Sequence, residues 1–175
     1  MDGLLGLNGA TGFELWSPTV NPDLTAFNGV YGDRAIFRGT FTDEVNSDDM
    51  VLFTVIAYDL QTTKEAWRYV GLPNNASINV RGNYAFAWKS STEMDILDLQ
   101  SGKVLSTYIF DVDPAEFTDL NPGWVRFIYS DSAFYSLSPA GVLREYSLPD
   151  ATLVKTINIE TPYFIDTYLI ENDSL

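Results

Sequence analysis

Tyr58-Asp59-Leu60-Gln61-Thr62-Thr63-Lys64-Glu65-Ala66-Trp67 occurs in four forms along this 175-residue chain. The others are Leu7-Asn8-Gly9-Ala10-Thr11-Gly12-Phe13-Glu14-Leu15-Trp16, Leu97-Asp98-Leu99-Gln100-Ser101-Gly102-Lys103-Val104-Leu105-Ser106 and a worn copy, Tyr146-Ser147-Leu148-Pro149-Asp150-Ala151-Thr152-Leu153-Val154-Lys155. Anchored on Asn8, Asp59, Asp98 and Ser147, they are separated by 51, 39 and 49 residues. A period of roughly 40–50 residues suits a four-stranded propeller blade and is too long for a leucine-rich repeat. Each copy reads as an apolar strand, a polar turn and a second strand. Asp or Asn accepts backbone N–H bonds in a tight turn, and Gly12 and Gly102, four positions later, supply the positive φ such turns need. Thr63 and Ala151 stand where that glycine should be, so their turns are expected to be looser or of another type. The run Met50 to Tyr58 is apolar at nearly every position, which predicts a strand covered on both faces.

A second repeat is interleaved with the first. Gly32-Asp33-Arg34-Ala35-Ile36-Phe37, Gly82-Asn83-Tyr84-Ala85-Phe86-Ala87 and Ser130-Asp131-Ser132-Ala133-Phe134-Tyr135 each read as a tight turn leading into an inner strand. Asp166-Thr167-Tyr168-Leu169-Ile170 is a weaker fourth copy. The predicted fold is all-β: β-propeller blades of four antiparallel strands, about four blades, in one domain or fragment spanning 1–175. The blade units are 1–20, 21–70, 71–110 and 111–160, with 161–175 beginning or closing a blade. The outer and inner motifs are out of phase by half a blade. Either the terminal strands around 163–170 and 4–16 share a blade and close a small four-bladed ring, or the chain is part of a larger propeller. The second reading is preferred, because four-bladed rings are rare and the chain opens inside a strand. Open edge strands in such a fragment predict self-association.

The paired motifs resemble the quinoprotein-like (PQQ-like) β-propeller repeat. Its glycine-aspartate turn corresponds to Gly32-Asp33 with Ala35 to Phe37, and its longer unit to Ala57-Tyr58-Asp59 through Trp67 or Ala10-Thr11-Gly12 through Leu15-Trp16. The resemblance implies that the tryptophan docks neighbouring blades. It is kept at Trp16 and Trp67 and gives way to Ser106 and Lys155. The same repeat is found in cofactor-dependent dehydrogenases, in assembly factors of the bacterial outer membrane and in scaffolds without chemistry, so it implies a fold rather than an activity. It slightly favours an extracytoplasmic setting, and no signal-like segment opens the chain.

The chain has no His and no Cys. That removes a Ser-His-Asp triad, a histidine base, thiolate chemistry and nearly every zinc site. The carboxylate pairs Asp95 with Asp98 and Asp111 with Asp113 have a turn, a strand edge or a loop to explain them, so catalysis is not expected, nor is a cofactor or metal. Trp88 belongs to an inner-strand motif and reads as core, whereas Trp124 follows Asn121-Pro122-Gly123 and is less constrained. Net charge is −14, from 24 Asp and Glu against 10 Lys and Arg, which argues against nucleic acid or an anionic membrane as partner. No apolar run is long enough to span a bilayer.

Departures from the repeat carry the functional signal. From inner motif to outer anchor the intervals are 26, 15 and 16 residues, so the second blade carries an insertion around Thr42 to Asp49. From outer anchor to the next inner motif they are 25, 24 and 33, which places a second insertion within Asp111 to Gly123. In up-and-down blades both connections leave on one face. Both are acidic, with Asp43, Glu44, Asp48 and Asp49 in the first and Asp111, Asp113, Glu116 and Asp119 in the second. Long loops on a rigid scaffold are where binding concentrates. The expected function is a non-enzymatic interaction or scaffold module that binds a protein partner through this acidic rim, whose charge suits a cation or a basic partner. The spacing lacks the EF-hand pattern, so calcium is not expected. The competing reading is a piece of a quinone-dependent or carbohydrate-active enzyme whose active residues lie outside these positions.

Overall fold

The computed structural model describes residues 6–7, 14–16, 24–45, 51–73, 77–110, 126–138 and 140–159. Its elements are β1 (Gly6–Leu7), β2 (Glu14–Trp16), β3 (Leu24–Tyr31), β4 (Arg34–Val45), β5 (Val51–Asp59), β6 (Glu65–Leu72), β7 (Ile78–Arg81), β8 (Tyr84–Trp88), β9 (Glu93–Asp98), β10 (Val104–Ile109), β11 (Arg126–Tyr129), β12 (Ala133–Leu137), β13 (Val142–Ser147) and β14 (Leu153–Asn158). Among the described residues there is no helix. Three sheets of four strands follow in chain order, β3 to β6, β7 to β10 and β11 to β14, and β1 pairs with β2 in a separate hairpin. Every pairing is antiparallel between consecutive strands. This is the up-and-down meander of a propeller blade.

The apolar run forms β5, and Thr54 to Tyr58 are all buried, as a strand covered on both faces requires. Val55 and Ala57 face the second sheet, joining Ile36, Trp67, Ala85, Ala87, Leu97 and Leu99 in one core. Ile56 and Tyr58 face the opposite way, with Ala35 and Phe37. A second inter-sheet core is mostly aromatic: Phe86 and Tyr108 of the second sheet meet Phe134 and Tyr146 of the third, with Phe134 stacked on Tyr146 at a ring separation of 4.8 Å.

The turn motif is conserved in geometry more closely than in residues. In all three sheets the anchor N–H bonds to the carbonyl five residues on, and its own carbonyl accepts the N–H four residues on: Asp59 with Lys64 and Thr63, Asp98 with Lys103 and Gly102, Ser147 with Thr152 and Ala151. The expectation of looser turns at Thr63 and Ala151 is overturned. Both adopt the left-handed conformation, φ 57° and 55°, beside 69° at Gly102. The paired backbone bonds hold the left-handed well against its cost, about 1–2 kcal/mol for an L residue. Thr63 is exposed, so Thr63→Gly should relieve more of this than it adds in chain entropy, raising stability by up to about 1 kcal/mol in a thermal melt; a lower melting temperature would contradict the strain argument.

The side chains that complete each turn differ. Asp59 Oδ1 accepts from the Gln61 and Thr62 N–H groups at 2.9 and 2.7 Å. Asp98 Oδ1 accepts the N–H of Ser101 at 2.7 Å. In the worn copy the carboxylate has moved to Asp150, which accepts from Ser147 Oγ at 2.9 Å and Thr152 Oγ1 at 2.8 Å.

The two repeats are also fastened to each other. Leu60 N–H bonds to Asp33 O, Leu99 to Asn83 and Leu148 to Ser132. These bonds correct the alignment of the third inner motif by one residue: Ala133 pairs with Ser147 where Arg34 and Tyr84 pair with Asp59 and Asp98. Asp131-Ser132 is therefore the counterpart of Gly32-Asp33 and Gly82-Asn83, and Phe134 takes the place of Ala35 and Ala85. Glycine at φ 61° and 54° makes the first two turns, as two-residue hairpins favour. The third uses Ser130 Oγ, which accepts the Ala133 N–H at 3.0 Å.

The insertion around Thr42 to Asp49, expected as a loop, is partly strand. β3 pairs with β4 as far as Gly39, and β6 with β5 as far as Phe53. Beyond those limits β4 and β5 continue alone, through Thr40 opposite Phe53 and, after an irregularity, Val45 opposite Val51. A two-stranded arm thus leaves the first sheet.

Candidate functional site

Asp43 and Glu44 lie on the β4 side of this arm. Asp48, Asp49, Asp111, Asp113, Glu116 and Asp119 lie outside the described residues, as do Trp124 and the fourth inner motif. The strand ends that carry the two acidic segments can still be related. Asp33, in the β3–β4 turn, accepts from Gln100 Nε2, in the β9–β10 turn, at 2.9 Å. The turn ends of the first two sheets are thus neighbours, and the opposite ends, from which the arm departs and β10 exits, share the other side.

Charge is divided unevenly along the chain. Segments 42–49 and 111–123 hold eight of the 24 Asp and Glu and none of the ten Lys and Arg.

Between the first two sheets lies a polar cluster that the sequence reading missed. Asp95, expected at a strand edge, is in the central strand β9 and 5 % exposed. Tyr69 Oη donates to its Oδ2 at 2.6 Å, and Thr107 Oγ1 to its Oδ1 at 2.6 Å. Lys89 Nζ is 3.4 Å from Oδ1 and also pairs with Glu93. Burial, then the bond to Asp95, pushes the Tyr69 phenol well above its usual range. The bond to Glu93 raises the Lys89 ammonium. This enclosed carboxylate is held by Tyr69 on β6, Thr107 on β10 and Lys89 between β8 and β9, so Asp95 joins the first two sheets. Asp98 is committed to its turn: the Ser101 hydroxyl and N–H bonds hold its carboxyl below the ordinary value.

On the turn side, Arg34 donates to Asp59 at 2.7 Å, lies 3.1 Å from Asp33 and reaches the Gln100 carbonyl at 3.4 Å. Between the second and third sheets, Trp88 Nε1 donates to Tyr129 Oη at 3.0 Å and its ring lies 4.4 Å from Phe127. Trp88 is therefore packed in the interface, and burial pushes Tyr129 up to about 12. Among the described residues no group of three or more His, Cys, Asp or Glu could hold a metal ion, and no helix is long and apolar enough to cross a membrane.

These shifts fix the pH response. Asp59, Asp98 and Asp150 are depressed, chiefly by bonds from Thr62, Ser101 and Thr152 respectively. Their contribution is present above the unfolded carboxylate value, about 3.9, and is lost as pH falls through the depressed folded values. The raised Tyr129 contributes below the unfolded phenol value, about 10, and this is lost as pH rises toward the folded value. Thermal midpoints should therefore be level between about pH 5 and 9 and decline on both sides; a midpoint still climbing below pH 4 would contradict the turn assignments.

No protein-family model and no curated protein matches the chain. Solved structures do. The computationally designed Ika8 protein matches at 13 % identity and TM-score 0.53, over 90 % of this chain and 44 % of its own. The computationally designed Ika4 protein matches at 12 % and 0.51, over 85 % and 81 %. BamB from Moraxella catarrhalis matches at 14 % and 0.48, over 89 % and 46 %. The chain spans less than half the length of Ika8 and of BamB. With three four-stranded meanders stacked on shared cores, the likeness to the two designed propeller proteins identifies the fold as a β-propeller.

Proposed function

We propose that the chain is a non-enzymatic interaction module of quinoprotein-like propeller type, binding a basic protein partner through its acidic connecting segments. The observation that supports this most lies in the sequence: segments 42–49 and 111–123, which lengthen the repeat, hold eight carboxylates and no base. The arm of β4 and β5 adds Asp43 and Glu44 on the side from which β10 exits. Interaction surfaces on propellers are built by such additions, because the blades themselves are occupied with packing.

The test is to replace Asp43, Glu44, Asp111 and Asp113 by Asn or Gln in the full chain. Capture of partners from the native source should fall at least tenfold, with the unmodified protein losing its partner as salt is raised. The melting temperature should stay within a few degrees, because solvated surface charges contribute little. Undiminished, salt-insensitive capture would refute the proposal.

A further inference from the structure

Among the described residues each four-stranded sheet ends in an outer strand paired on one side, and the three such strands differ. β6 carries Glu65 and Arg68, ion-paired to each other, and its register against β5 is irregular at two points. β14 carries Lys155 at its middle. β10, Val-Leu-Ser-Thr-Tyr-Ile, has no charge, no proline and no irregularity from Ser106 to Ile109. It is also the terminal strand of its sheet, with Val104 41 %, Leu105 40 % and Ile109 71 % exposed. Native edges are usually blunted by charges, prolines or bulges. Over most of its length β10 carries none of these.

We propose that β10 is a self-association surface, taking β10 of a second copy of this chain as an antiparallel neighbour centred on Thr107. A two-fold axis perpendicular to a sheet pairs residues of the same parity, so opposite positions sum to an even number. Centred on Thr107, Leu105 lies opposite Ile109 of the partner copy, and Ile109 opposite its Leu105. The two exposed apolar odd positions of the strand cover each other on one face, in pairs of the kind that stabilise sheets. Thr107 meets its own copy at the axis. In β14, pairing about Lys155 would bring the two copies of that charge together, and pairing about Thr156 would set Val154 opposite Asn158.

Charge permits this approach despite the overall −14. The sheet that carries β10, residues 77–110, holds Arg81, Lys89 and Lys103 against Glu93, Asp95 and Asp98, and is neutral. The net repulsion between copies comes from carboxylates outside residues 77–110, which added salt screens. Self-association through β10 should therefore strengthen with salt, whereas capture of a basic partner by the acidic segments should weaken. The two proposals can fail independently.

The experiment is sedimentation velocity on the full chain over a range of concentration and salt, with two variants matched in fold. In Leu105→Lys with Ile109→Lys, each lysine faces a lysine of the other copy. In Leu105→Glu with Ile109→Lys, each new pair is Glu opposite Lys. The first should weaken dimerisation at least tenfold, and the second should restore it to within about threefold of the unmodified chain, both with unchanged melting temperature. Concentration-dependent protection from hydrogen exchange should appear at 104–109 and not at 65–72 or 153–158. A monomer at every concentration and salt, equal behaviour of the two variants, or protection confined to another strand would each overturn the proposal.

Discussion

Trp67→Ala is expected to destabilise the protein by about 3–5 kcal/mol, the usual cost of emptying a large aromatic site in a core. Trp67 stands on β6, an outer strand, yet is only 7 % exposed. Its indole Nε1 donates to the Leu99 carbonyl at 2.8 Å, in the turn of the next sheet, and its ring packs into a core shared by both sheets. Truncation removes the apolar area and leaves that carbonyl without its donor, an added penalty for a buried group. Chemical denaturation read by fluorescence and circular dichroism would measure it; a cost below about 1 kcal/mol would mean that the sheets are not held together here.

Gly102→Ala should cost about 2–4 kcal/mol, which is large for a single methyl group. Two effects combine. Gly102 has φ 69°, where an L residue loses about 1–2 kcal/mol. A Cβ at this position would also stand 2.6 Å from Cγ and Cδ2 of Trp67, too close to either ring atom, and overpacking of that kind adds about 1–3 kcal/mol. The two terms separate in a double-mutant cycle. With Trp67→Ser in the background both ring contacts are gone and only the 2.8 Å approach to the Cβ of residue 67 remains, so the cost of Gly102→Ala should fall toward the backbone term of about 1–2 kcal/mol. Strict additivity of the two substitutions would show that the ring does not occupy the space above the glycine.

Much of the fold is legible in the sequence because its turns are made by neighbours. Asp59 and Asp98 bond to groups two or three residues away, so spacing along the chain is spacing in the structure. The covered strand β5 is legible because Val, Ile and Ala leave it no polar face. What was misread depends on partners remote in sequence or on backbone bonds. The left-handed conformation of Thr63 and Ala151 follows from bonds to Asp59 and Ser147, whatever side chain is present. The third inner motif was set one residue out of step because Ser130-Asp131-Ser132 lacks the glycine that marks the first two. Asp95 looked like an edge residue because its partners, Tyr69 and Thr107, are 26 and 12 residues away on other strands. For the acidic rim, composition was legible at once, while its geometry rests on segments beyond the described residues, apart from the positions of Asp43 and Glu44 on β4.

The lock between blades exists in this molecule in two sizes. Between the first and second sheets a large ring rests on a residue with no side chain, Trp67 on Gly102. Between the second and third, Ser106 takes the tryptophan's place and donates to the Pro149 carbonyl, and the glycine's counterpart is Ala151. These pairs constrain the order in which such a repeat can change over generations. A lineage that first adds a methyl group beneath the tryptophan passes through a clashing intermediate. One that first shrinks the tryptophan passes through a merely underfilled one, after which the alanine is tolerated. The step from the second pair to the third thus has a favoured order, with loss of the ring preceding loss of the glycine, while the first pair in sequence, Trp16 and Thr63, keeps the tryptophan without the glycine, so the order is a bias between two routes and not a barrier across one of them.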